Sequence, residues 1–191
     1  MGTKVKVMDI EVDLLTQETC LEELQNYLEN DYLNIVHMIS LDYIDAYDKN
    51  DLVQTTLKEA DLVLPGEKAI LSAHHVDVLQ TGGMIVDYHG VLDLLESPHL
   101  YGKSIYLVLR NAKEAKVFYQ VWKDHFPQEQ IAGIYVADGK VTEEALINDI
   151  NTKLPDVVFL SMASTEQEEW LENNKSKINA RLCFVAGSVM P

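Results

Sequence analysis

The residues best suited to chemistry in this chain gather at four loops, each following a short apolar run: His37–Ser40, Pro65–Lys68, Arg110–Lys113 and Ser161–Gln167. The last is the richest. Ser161-Met162-Ala163-Ser164-Thr165-Glu166-Gln167-Glu168-Glu169-Trp170 places hydroxyls, an amide and carboxylates where a helix opens. Backbone N–H groups point outward at such a start, and the positive dipole end suits an anion or a sugar hydroxyl. The same residues also fit an architectural role, with Ser164 as N-cap, Gln167 closing its capping box three residues on, and Trp170 in the core. Glu67 follows Pro65-Gly66. It is placed either as a general base or as a first-turn acid that complements the helix dipole. Asp87-Tyr88-His89 sets a carboxylate near an imidazole, whereas His74 and His75 are adjacent in sequence and point to different helix faces. No metal site and no cofactor are expected. P-loop, complete dinucleotide fingerprint and Gly-x-Ser-x-Gly elbow are all missing from the sequence.

The elements that must carry these loops alternate between short continuous apolar runs and helical periodicity. Thr16 caps a helix with Cys20, Leu21, Leu24, Tyr27 and Leu28 on one face. Strands are predicted at Leu33–Met38, Asp61–Leu64, Ser104–Leu109, Ile131–Tyr135, Val157–Leu160 and Leu182–Val185. Helices are predicted around Leu41–Tyr47, Leu52–Leu57, from about Glu67, Val91–Leu95, Ala112–His125, from Thr142 through Ile150, and Glu166–Asn173. Thr81-Gly82-Gly83 signals a loop. Continuous apolar strands separated by amphipathic helices predict an α/β fold: a doubly wound, mostly parallel, Rossmann-like sheet with helices on both faces. One domain over 1–191 is expected, and ligands in such a sheet bind outside the carboxyl ends of the strands.

Charge narrows the partners. Asp and Glu number 31 against 15 Lys and Arg, for a net charge of -16. Binding of nucleic acid or anionic lipid requires clustered Lys and Arg, which the sequence lacks. No nucleic-acid partner is expected, and weak or no direct membrane binding. The first residues have no apolar stretch for a signal peptide, and no run reaches membrane-span length. Cys20 and Cys183 are isolated and read as buried reduced thiols. A cytoplasmic protein is expected.

Pro155-Asp156-Val157-Val158-Phe159-Leu160 followed by Ala163-Ser164-Thr165-Glu166-Gln167-Glu168-Glu169-Trp170 resembles the signature of the bacterial WecG/TagA/CpsF glycosyltransferase family. There a P-D-hydrophobic strand leads into G-S-P-x-Q-E-x-W, of which Ser164, Gln167, Glu168 and Trp170 are kept. Ala60–Pro65 is similar to the family's A-D-L-V-L-P, and Gly102–Leu107 to its G-x-S strand. The departures cluster at the reactive positions. His37-Met38-Ile39 occupies the place of T-x-N, and Pro65-Gly66-Glu67 the place of P-D-G. Met84–His89 falls on R-V-x-G-x-D without the arginine, Leu109-Arg110 replaces a Gly-Gly turn, and Gly187-Ser188-Val189-Met190 replaces G-G-A-F-D. The resemblance also implies a C-terminal basic appendage that this chain is expected to lack.

What the resemblance implies is transfer of an N-acetylmannosamine-type sugar from a UDP donor to a lipid-linked acceptor, in synthesis of cell-surface polysaccharide. Glu67 would be the catalytic base. The substrate-binding residues would be His37, Asp87, His89, Ser164, Gln167 and Glu168. The losses leave a second expectation open: a non-catalytic member that binds a nucleotide-sugar or serves as scaffold to another glycosyltransferase. A homo-oligomer or a complex with such an enzyme fits either.

Overall fold

The computed structural model describes residues 3–73, 85–126, 130–137 and 141–187. His74, His75, the Thr81-Gly82-Gly83 loop, Met84 and Ser188–Pro191 lie outside the described residues. The chain opens with an antiparallel hairpin, β1 (Thr3–Val7) and β2 (Ile10–Leu14). Its turn is at Met8, whose φ is 55°. Then follow α1 (Gln17–Glu29), β3 (Asn34–Ile39), α2 (Leu41–Tyr47), α3 (Asp51–Glu59), β4 (Leu62–Pro65), α4 (Lys68–Ala73) and α5 (Tyr88–Glu96). The second half runs β5 (Ile105–Leu109), α6 (Ala112–His125), β6 (Ile131–Val136), α7 (Glu143–Lys153), β7 (Val157–Ser161), α8 (Ser164–Asn174) and β8 (Leu182–Val185).

Six strands form one parallel sheet in the order β4-β3-β8-β7-β5-β6. Alternate residues of each strand feed two cores. Val158, Leu160, Cys183 and Val185 meet α2, α3, α7 and α8, whereas Val157, Phe159, Leu182 and Phe184 meet α1, α5 and α6. Burial on both faces is why these strands read as unbroken apolar runs, and the doubly wound prediction holds.

Sequence capping chemistry sets several boundaries. Thr16 and Thr19 form a reciprocal capping box at α1, and Thr142 and Asn111 cap α7 and α6 through their side chains. The hairpin was not predicted. It packs against β4 without extending the sheet, because the buried Asp13 carboxylate accepts the Val63 N–H at 3.0 Å. A side chain thus takes the ladder bond that another strand would have made, and Lys4 pairs with its other oxygen at 3.5 Å.

The topology places the loops. From β5 the chain crosses by α6 on one face to β6, while from the adjacent β7 it crosses by α8 on the other face to β8. The direction of winding reverses between β5 and β7, so their carboxyl ends flank the crevice where open α/β sheets take ligands.

Candidate functional site

α8 opens at this crevice. It begins at Ser164, two residues before the predicted start, and its N-cap, Ala163, makes no side-chain capping bond. The capping box between Ser164 and Gln167 therefore does not form. Ser164 is the first helical residue, and Gln167, a turn later, faces inward instead. Gln167 Oε1 accepts the Gly187 N–H at 3.2 Å and lies 3.4 Å from the Met162 N–H. Its Nε2 donates to Tyr43 Oη, which donates to Glu168 Oε1 at 2.5 Å. Glu168 Oε1 is also 3.5 Å from His37 Nδ1. The network joins β3, α2 and α8 to the loops that end β7 and β8.

All four side chains of this network are fully buried. Burial lowers His37 from 6.5 to about 3 and raises Glu168 from 4.5 to about 7. The Tyr43 hydrogen bond opposes the rise at Glu168, as does that of Thr56. Tyr43 itself is pushed well above its usual range, first by burial and then by the neighbouring Glu168 charge. His37 and Glu168 thus meet as partners that both favour their neutral forms, and neither ring nitrogen of His37 has a hydrogen-bond partner among the described residues. The His37 ring stands edge-on to Tyr43, with centroids 5.8 Å apart.

The other candidates meet at the sheet's β4 end. Gly66 continues the β4 turn by donating to Ile39 O at 2.8 Å, and its carbonyl accepts Tyr88 N–H at 3.1 Å. That bond draws Asp87-Tyr88-His89 to the Pro65-Gly66-Glu67 turn. Asp87 caps α5 by accepting Gly90 N–H at 3.1 Å, and lies 3.7 Å from Lys68 Nζ. Lys68, Asp87, His89 and Asp93 line a cleft of about 160 Å³ together with Gln17. Glu67 and His89 are exposed. The predicted residues therefore form two groups. Glu67, Asp87 and His89 share the open β4 end, His37, Gln167 and Glu168 form the closed network, and Ser164 stands at the mouth of α8. Three strand spacings, about 14 Å, separate β4 from β7 along the edge.

Tyr43 was not among the predicted site residues, although it joins Gln167 to Glu168. Its signal was its place in the first turn after the His37–Ser40 loop. Thr56, which faces Glu168 from α3, was not among them either. Among the described residues no group of three or more His, Cys, Asp or Glu is arranged to hold a metal ion, and no helix is long and apolar enough to cross a membrane.

Against known proteins, the family model described as glycosyl transferase, WecG/TagA/CpsF family, matches residues 5–191, nearly the whole chain. No curated protein matches.

Proposed function

The chain belongs to the WecG/TagA/CpsF glycosyltransferase family, and from that premise we propose that it transfers an N-acetylmannosamine-type sugar from a UDP donor to a lipid-linked acceptor in the cytoplasm. The observation that carries this is the α8 amino end, without a side-chain cap, standing at the winding reversal on the same edge as the Lys68–Asp87–His89 cleft and the exposed Glu67 next to Lys68. The first-turn N–H groups of α8 and Ser164 suit the donor's diphosphate. Lys68 and His89 suit its sugar or phosphate oxygens, taking the part of the arginine that the family motif carries before Asp87.

Glu67 takes the proton of the acceptor hydroxyl. That oxygen bonds to the anomeric carbon as the carbon's bond to the UDP oxygen breaks, and UDP leaves with the bonding pair. Gln167, Glu168 and His37 serve the donor from beneath, by holding the loops that end β7 and β8. Incubation with UDP-N-acetylmannosamine and a lipid-linked acceptor tests the reaction. Acceptor-dependent UDP release that Glu67→Gln abolishes is expected; no release and no binding of UDP would overturn the reading.

The full burial of His37, Gln167 and Glu168 favours a second reading, a non-catalytic member that binds the nucleotide-sugar and partners another glycosyltransferase. UDP binding without turnover by the isolated chain, and turnover on adding such a partner, would select it.

A further inference from the structure

Every donor in the buried network points toward one carboxylate. Gly187 N–H donates to Gln167 Oε1, Gln167 Nε2 to Tyr43 Oη, and Tyr43 Oη to Glu168 Oε1. At its far end the chain of bonds engages backbone N–H groups of the loops that end β7 and β8. Gly187 is pressed against it: φ there is +56°, and a Cβ would lie 2.9 Å from Tyr43 Cε2 and 3.3 Å from Gln167 Nε2.

We propose that Tyr43 and Glu168 are positioning residues for the donor edge, switching the Gln167 amide between two orientations as Glu168 loses or gains a proton. The proposal rests on the reading of that edge as the donor site. An ionised Glu168 can only accept, which fixes Tyr43 as its donor and turns the Gln167 oxygen toward the Met162 and Gly187 N–H groups. A protonated Glu168 donates to Tyr43 Oη instead. The Tyr43 O–H then turns to Gln167, the amide rotates to offer its oxygen to Tyr43, and the Met162 and Gly187 N–H groups are released toward an anionic ligand. One proton is gained and no covalent bond changes.

The groups around Glu168 allow the change. His37 faces it from β3, Tyr43 from α2, Thr56 from α3 and Cys183 from β8, with Glu172 and Lys175 on its own helix. Burial, helped by Glu172, places its ionisation at about 7 against the opposing Tyr43, Thr56 and Lys175. A groove of about 190 Å³ between β3, α3 and α8 reaches the cluster, lined by His37 and Thr56, with Glu59, Glu172 and Lys175 also on its walls. Its volume admits water. The His37 ring, itself without solvent contact, stands between that groove and Glu168, 3.5 Å from its Oε1.

Two measurements on the full chain test the switch. Amide NMR shifts of Met162 and Gly187, followed from about pH 5 to about pH 9, are expected to titrate together in the wild type. They should stay flat in Glu168→Gln and in Tyr43→Phe, which cuts the relay in its middle and is a second route should the first variant fail to fold. Equal titration in wild type and variants overturns the proposal, as does no titration in the wild type. UDP affinity is then compared between wild type and Glu168→Gln, a ratio that cancels ionisation of the phosphates. It is expected to change about fivefold or more between pH 6 and pH 8, with the wild type binding more tightly at the lower pH. A constant ratio overturns the link to the ligand. Absence of UDP binding in both proteins at every pH would refute the donor-site reading instead, while the amide shifts still decide the relay.

Discussion

Two regions of the sheet's carboxyl edge are built on opposite plans. Under α8, a histidine, a glutamate, a tyrosine and a glutamine sit wholly out of solvent and bond mainly to one another and to backbone. At β4, Lys68, Asp87 and His89 line a small open cleft, the exposed Glu67 is next to Lys68 in the chain, and Lys68 Nζ lies 3.7 Å from Asp87. Closed polar networks fix geometry because each member is costly to leave unpaired. Open charged clefts leave side chains free to meet a substrate and move a proton. Under the proposed function, the contrast puts support at the α8 end and chemistry at the β4 end.

The sharpest way to break that assignment is at Glu67. Replacing it by Gln is expected to lower sugar transfer by about 10²- to 10⁴-fold, the usual worth of a general base, with the melting temperature unchanged because the side chain is exposed. Turnover kinetics beside a thermal melt check both halves. A large loss of stability with intact turnover would reverse the roles of the two ends.

Gln167→Ala probes the closed end. It strips a partner from the Gly187 N–H and from Tyr43 Oη, both buried, at about 1–3 kcal/mol for each unmet group. A loss of about 3 kcal/mol in urea denaturation is expected. The signature motif made Gln167 and Glu168 conspicuous in the sequence, but not their burial. That depends on Tyr43, which lies 124 and 125 residues away along the chain and meets them only once α2 and α8 pack on one face of the sheet. The parallel strands were legible because burial on both faces leaves continuous apolar runs. The hairpin was not legible in the same way: Val5, Val7, Ile10, Val12 and Leu14 alternate with Lys4, Lys6, Glu11 and Asp13 over two five-residue strands, which leaves no continuous apolar run. The start of α8 was misplaced because Ala163, which cannot cap, precedes it, and Ser164 and Gln167 gave a false capping box.

A pH series gives a smaller but more specific effect. His37 and Glu168 fold as neutral groups, so between pH 4.5 and pH 6.5 unfolding releases one proton from Glu168 and takes up one at His37. Their slopes cancel there. Below 4.5 only His37 gains a proton on unfolding, and its contribution is lost as pH falls toward about 3; above 6.5 only Glu168 releases one, and its contribution is lost as pH rises through about 7. Glu168→Gln removes one side of this balance. Its stability relative to wild type should fall as pH drops from 6.5 toward 4.5, by about 1.4 kcal/mol per pH unit. His37→Gln should show the opposite trend, gaining relative to the plateau as pH falls from about 7 toward 4.5. Parallel profiles for all three proteins would mean the pair folds charged.

The finest distinction falls on Asp87, which holds both kinds of role in one side chain. Its Oδ1 accepts the Gly90 N–H and caps α5, while its Oδ2 lies nearest Lys68 in the open cleft. An asparagine keeps a capping oxygen and loses the charge; an alanine loses both. Asp87→Ala should therefore cost about 1 kcal/mol, the usual worth of an N-cap. Asp87→Asn should stay within about 0.5 kcal/mol of wild type, since a partly exposed ion contact contributes little. Donor affinity separates the roles that stability cannot. If the carboxylate orders Lys68 for a phosphate or sugar oxygen, Asp87→Asn weakens UDP-sugar binding while the chain remains as stable as before. If Asp87 is only a cap, Asp87→Asn binds as the wild type does, and the chemistry of the β4 end then rests on Glu67, Lys68 and His89.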